Sequence, residues 1–146
     1  MFVTDLLRAR IEPALSRLEV ESQRIARDQK ALREAFDPVQ QEPIRRTLER
    51  RIQIVVECTA DIGNALIDAL LMRDPASYTD IVAVLGDEGV TTPHVTAAMI
   101  EIMAVRRCLV QEYLQDHDDL LLAAASHAPV VAQFVAEVRA YLNSGA

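Results

Sequence analysis

Two adjacent arginines, an amide, a carboxylate and a phenol crowd together in Arg106-Arg107-Cys108-Leu109-Val110-Gln111-Glu112-Tyr113, within a segment that is otherwise aliphatic from about Thr92. A guanidinium offers a permanently charged, planar fork of donors suited to phosphate and carboxylate. This octet is the candidate functional centre. The whole chain carries a net charge of −7, which argues against general affinity for nucleic acid, because phosphate binding needs clustered cations. The average hides an asymmetry: residues 1–51 carry eleven cations against nine acids, whereas residues 52–146 carry four against thirteen. Arg45, Arg46, Arg50 and Arg51 form the densest positive cluster, and Arg106-Arg107 is the only adjacent cationic pair in the acidic part. A local basic groove is compatible with an acidic protein.

The elements that must position the octet read as helices. Composition is 51% hydrophobic but 4% aromatic, with proline and glycine mostly at segment edges, which suits aliphatic helices better than sheets. Leu7, Ile11, Leu15, Leu18 and Ile25 recur at helical spacing and predict a long amphipathic helix from Thr4 to about Ala35. Pro13 either kinks it or marks its start. After the break at Phe36-Asp37-Pro38, a second helix is expected from Pro43 to about Arg73, interrupted by Asp61 and Gly63. Ser77-Tyr78-Thr79-Asp80 reads as a capped entry to a short helix, Ile81 to about Leu85. Thr92-Pro93 is a cap followed by proline at the first helical position, and the helix it starts should continue at least to Tyr113. A fifth helix covers Leu120 to about Leu142, with Ala128-Pro129 as a candidate division. The expected architecture is an all-α antiparallel bundle of four to five helices, one domain over residues 1–146.

No run approaches the roughly 20 uncharged apolar residues of a membrane span, and MFVTDLLRARIEP has acid and arginine where a signal peptide would be apolar. A cytoplasmic location is expected. Cys58 and Cys108 lie on separate segments without a CxxC pair or a neighbouring histidine. They read as small apolar side chains, with no disulfide, metal or cofactor expected.

RRCLVQEY resembles the R-N-x-L-V-H-x-Y signature of HepT-type HEPN proteins, toxins paired with MntA-type minimal nucleotidyltransferase antitoxins. The likeness extends to ERRIQIVVECTADIGNALI (49–67), to DPASYTDIVAVLGDEGV (74–90) and to VVAQFVAEVRAYL (130–142), covering roughly residues 44–142 in order. The resemblance implies a helical homodimer that brings two copies of the motif into a cleft where RNA is cut without a metal ion. It aligns Arg106 with the motif arginine and Tyr113 with the tyrosine that the antitoxin modifies with AMP. Two positions depart: Arg107 stands where the motif has asparagine, and Gln111 where it has the catalytic histidine.

Cleavage by attack of a 2′-hydroxyl needs a group that exchanges protons near neutral pH, and imidazole suits this because its pKa lies there. Gln111 does not titrate. General acid–base steps contribute typically ~10²–10⁴-fold, and a loss of that order is expected. One reading is thus a weakened ribonuclease. The alternatives are a non-catalytic HEPN-like dimer that binds RNA or a nucleotidyltransferase, and a plain helical interaction protein. His117 lies ~16 Å beyond Arg106 along an uninterrupted helix and is no positional substitute within one chain; a dimer could bring His117 of one subunit near Arg106 of the other, the ordinary reading being a solvated histidine in the acidic turn. His94 and His127 read as surface positions. Arg106 and Arg107 are candidate RNA-binding residues, or else pair with Glu101, Glu112 or Asp61. Tyr113 lies close to the angular position of Arg106, so the two can share one helix face, unless it is half-buried packing. Asp61, on an apolar helix, is costly to bury unpaired and is expected to support an arginine, Arg106 being favoured. Tyr78 should anchor its turn. Arg45, Arg46, Arg50 and Arg51 read as a solvated face, with contact to RNA phosphates or to an acidic partner surface as the alternative.

Overall fold

The structure, a computed structural model, describes residues 2–144, with side chains from residue 5 onward. It consists of α1 (Phe2–Glu34), α2 (Pro38–Ala69), α3 (Tyr78–Asp87), α4 (Pro93–Gln111), α5 (Asp118–Ala125) and α6 (Ala128–Asn143), with no strand among the described residues. The helical apolar stripes close into one core, in which Leu15, Leu18, Leu66, Met99, Met103 and Phe134 are almost completely buried. The expected all-α bundle is present, and the fifth predicted helix divides at Ala128-Pro129 into α5 and α6.

α1 and α2 form a long antiparallel hairpin. Leu7, Ile11, Leu15, Leu18 and Ile25 all face inward as their spacing predicts. Pro13 lies inside α1 rather than at its start. The carbonyl it leaves without a partner belongs to Ala9, and both residues are exposed, so water can satisfy it. α2 begins five residues before the expected Pro43. Asp37 accepts a 2.8 Å hydrogen bond from Gln40 N, and Pro38 occupies the first turn. This cap holds the helix start firmly enough for Pro43 to be carried inside α2, where its missing donor faces solvent beside exposed Val39. α2 stops at Ala69 rather than Arg73, because Leu71 turns into the left-handed region at φ 53°.

Gly63 is explained by packing. A Cβ there would lie 2.2 Å from Cγ2 of Ile81, so α3 approaches α2 as closely as glycine allows. α3 is longer than predicted at both ends, and its Ser77 cap accepts from Asp80 N at 3.2 Å. Arg73 clamps the turn through Asp80 at 2.8 and 3.0 Å, and this ion pair lowers the Asp80 carboxyl to about 2. α4 opens at Thr92-Pro93 as expected; Thr92 N and Oγ1 donate to Glu137 of α6 at 2.7 and 3.0 Å. α6 lies along α1, tied by Arg139 to Glu12 and Glu19 and by Arg8 Nη2 to the Leu142 carbonyl. Among the described residues no single helix is long and apolar enough to cross a membrane; α5 and α6 together are apolar but meet at 46°.

Candidate functional site

The octet lies where α4 runs antiparallel to α2. Arg106 faces Glu57, while Leu109 and Tyr113 share a small cavity of about 120 Å³ with Arg46, Glu49 and Gln53. α4 ends at Gln111, with Glu112 N–H closing on the Cys108 carbonyl. The expected continuation to Tyr113 is therefore corrected. Tyr113 belongs to the connection into α5, shares no helix face with Arg106, and is 73% exposed rather than half-buried. Val110 and Leu114, on either side of the helix end, are both exposed, so burial does not hold an extra turn there.

Arg106 is the best-held polar side chain of the octet. Its Nε donates to Glu57 Oε1 at 3.1 Å, and its guanidinium carbon lies 4.1 Å from the centroid of the Tyr78 ring. Tyr78 Oη donates to the other carboxylate oxygen of Glu57 at 3.2 Å. Three helices thus converge on one half-buried group. Cation–π stacking of this kind contributes about 0.5–1 kcal/mol at exposed sites and more when desolvated. Tyr78 anchors its turn as expected, and it also carries Arg106. Glu57 was missed in the sequence. Asp61 was preferred because it interrupts an apolar run, but Glu57, one turn earlier on α2, is the residue that faces α4.

Asp61 is exposed and forms no ion pair among the described residues. It lines a cleft of about 500 Å³ with Arg10, Pro13 and Asn64 on the α1 side of α2, so it does not support Arg106. Arg107 and Gln111 are both exposed, and neither has a hydrogen-bonding side-chain partner among the described residues. Gln111 sits in the last turn of α4, open to solvent.

The four-arginine cluster separates. Arg45, only 8% exposed, holds Asp118 through Nε at 2.5 Å and Nη2 at 2.9 Å, and Glu42 through Nη1 at 2.9 Å. The Asp118 hydrogen bonds push the Arg45 pKa up, and the same contact lowers that of Asp118. Arg46 binds Glu42, Glu49 and Asp116, and Arg51 binds Asp28 at 2.5 Å and the fully buried Glu21 at 3.4 Å. A plain solvated face is therefore incorrect for Arg45 and Arg51, which tie helices together. Arg50 is exposed, and among the described residues its one side-chain hydrogen bond goes to Gln53, at 3.4 Å.

Arg45 and Arg46 together clamp residues 116–118 onto α2, which fixes the connection carrying Tyr113. His117 is half-buried rather than solvated: its Nε2 lies 2.8 Å from the Glu112 carbonyl, and it lines the same cavity as Tyr113. His127 also has a partner, Glu101, at 2.5 Å, whereas His94 is exposed as expected. Cys58 and Cys108 are half-buried free thiols whose pKa values burial pushes up, which disfavours a thiolate nucleophile. Among the described residues no group of three or more His, Cys, Asp or Glu is arranged to hold a metal ion.

Residues 18–138 match the sequence model of the HepT-like ribonuclease family. The chain belongs to this HepT-like family. YutE of Bacillus subtilis (strain 168) is 37% identical over 98 residues, which span 66% of this chain and 68% of YutE. The structure of YutE, described as a cytosolic protein of unknown function, aligns with a TM-score of 0.79 at 30% identity, covering 94% of this chain and 92% of that one. The same fold occurs in a tri-AMPylated Shewanella oneidensis HEPN toxin in complex with MNT antitoxin, at TM-score 0.63 and 18% identity over 94% and 97% of the two chains. A toxin–antitoxin structure with AMP-PNP gives TM-score 0.63 at 16% identity, over 93% and 97%. Glu57, Tyr78 and residues 106–113 all lie within the matched residues 18–138.

Proposed function

We propose that this HepT-like protein is the toxin component of a bacterial toxin–antitoxin module, an RNA endonuclease that needs no metal ion and is weakened by Gln111. The observation that carries the reading is Arg106. Its Nε is occupied by Glu57 and its face by Tyr78, while Nη1 and Nη2 make no hydrogen bond among the described residues. That free edge is a two-donor fork of the kind that binds a phosphodiester. Exposed Arg107 adds a second cation one residue away.

In this mechanism the 2′-hydroxyl of RNA attacks the neighbouring phosphorus and gives its proton to solvent water, the P–O5′ bond breaks to leave a 2′,3′-cyclic phosphate, and the departing 5′-oxygen takes a proton from water. Arg106 stabilises the charge developing on the phosphate. Gln111 donates a hydrogen bond or orients water, but it cannot take up the proton, so the step loses its general base. Because the nucleophile belongs to the substrate, no activated metal-bound water is required.

The working unit is a homodimer. Support comes from exposed Val110, Leu114 and Leu120, and from an apolar cleft of about 300 Å³ lined by Ala104, Val105, Cys108, Leu120 and Ala123. A second copy would cover this surface and gather two octets. An MntA-like nucleotidyltransferase is the partner, and Tyr113, the most exposed of the three tyrosines, is the acceptor for AMP. Toxins of the same fold are AMPylated or bound to antitoxin, which supports this assignment.

Purified protein incubated with RNA tests the reading. Wild type is expected to cleave slowly and equally well with a chelator present, and Arg106→Ala not at all. Co-expression with such a nucleotidyltransferase should add AMP to Tyr113 by mass spectrometry, and Tyr113→Phe should remain unmodified. RNA binding without cleavage, even after Gln111→His, would favour the non-catalytic reading, to which exposed Gln111 also lends support.

A further inference from the structure

The contacts around Arg106 form a closed arrangement. One carboxylate, Glu57, accepts from Arg106 Nε at 3.1 Å through one oxygen and from Tyr78 Oη at 3.2 Å through the other. The Tyr78 ring lies beneath the guanidinium at 4.1 Å. Tyr78 is itself fixed, because it follows the Ser77 cap and precedes Asp80, which accepts from Ala76 N at 2.8 Å and from both Arg73 Nη atoms. A free arginine must give up much side-chain freedom to bind a phosphate in one geometry. Here one face of the guanidinium is covered by the Tyr78 ring and its Nε is taken up by the Glu57 carboxylate. The donors left over are the two Nη groups, side by side.

We infer that Glu57 and Tyr78 are positioning residues that hold Arg106 so that its Nη1/Nη2 edge receives an RNA phosphodiester. The inference rests on the reading of Arg106 as a phosphate ligand. It has a distinctive sign. Glu57 is an anion close to the place assigned to a phosphate, so charge alone says that removing it should strengthen RNA binding. Positioning says that removing it weakens binding, because Arg106 loses its fixed orientation.

The test is fluorescence anisotropy of a short labelled single-stranded RNA at one fixed salt concentration, with thermal unfolding recorded for every variant. Glu57→Ala and Tyr78→Leu are each expected to weaken binding about tenfold, the scale of one charge-assisted hydrogen bond. Tyr78→Phe keeps the ring and should lose less. Glu57→Gln keeps the volume and accepts through a single oxygen, so it should fall between wild type and Glu57→Ala; it carries the test if Glu57→Ala fails to fold. In an Arg106→Ala background, Glu57→Ala should weaken binding no further. Should Glu57→Ala bind as tightly as wild type or tighter while Arg106→Ala binds weakly, Glu57 is a competing anion and the inference is overturned, with the phosphate reading intact. If Arg106→Ala and wild type behave alike, both are overturned.

Discussion

Arg106 and Gln111, five residues apart, have opposite prospects. Arg106 is held on two sides and offers a free donor edge; Gln111 occupies an exposed position with a side chain that cannot titrate. The ion pairs that fix the following connection are testable by pH. Arg45 lowers the pKa of Asp118, so the folded state binds this proton less readily than the unfolded chain. The stabilisation is therefore in force above the usual carboxylate range and fades as pH falls through and below it. Asp118→Asn should cost about 1 kcal/mol at pH 7 in urea unfolding, a modest figure because the Asp118 side chain is partly exposed. The difference from wild type should close toward pH 2, and a gap that stayed constant with pH would contradict the assignment. Single residues were unevenly legible in the sequence. Ser77 declared itself because caps act over three or four residues, and Thr92-Pro93 marked the start of α4 although the Thr92 hydroxyl donates to Glu137 instead of capping the helix. The partner of Arg106 did not, because which carboxylate faces another helix depends on how the two helices are rotated, and one turn separates Glu57 from Asp61.

At the scale of elements, Gly63 shows how closely α2 and α3 approach. Alanine has the higher helix propensity by about 1 kcal/mol, so an isolated helix would favour Gly63→Ala. The clash with Cγ2 of β-branched Ile81 opposes this gain, and overpacking costs typically about 1–3 kcal/mol. Gly63→Ala should therefore lower the melting temperature, and it should cost less in an Ile81→Ala background than in wild type; an unchanged or higher melting temperature for the single variant would contradict the close approach. The glycine was visible in the sequence only as an interruption. Helix ends were less legible than helices. Pro43 resembled a first-turn proline, but Asp37-Pro38 already supplied the cap and the proline for an earlier start. At the end of α4, the apolar spacing stopped at Val110, within the helix, and gave no signal for its end at Gln111 rather than Tyr113.

At the scale of the molecule, Val110, Leu114 and Leu120, together with the neighbouring apolar cleft, form an apolar surface that this chain leaves exposed. Covering it with a second copy predicts a dimer in sedimentation at micromolar concentration. Leu120→Arg, at a half-exposed site, should shift that dimer to monomer without loss of helix content. A wild-type monomer under the same conditions would contradict the assembly. The family was legible because the octet and its three flanking segments keep their order along the chain; the pairwise geometry within the site was not, since it arises from α2, α3 and α4 meeting. The central claim is that the Arg106 site is an RNA-cleaving site lacking its proton-transfer group. It is tested most directly by single-turnover RNA cleavage by wild type and Gln111→His across pH 5–9. Gln111→His is expected to cleave at least ~10²-fold faster, with a rate that titrates near the imidazole pKa, while wild type remains slow and lacks that titration. Equal rates, or the same titration in both proteins, would contradict the account.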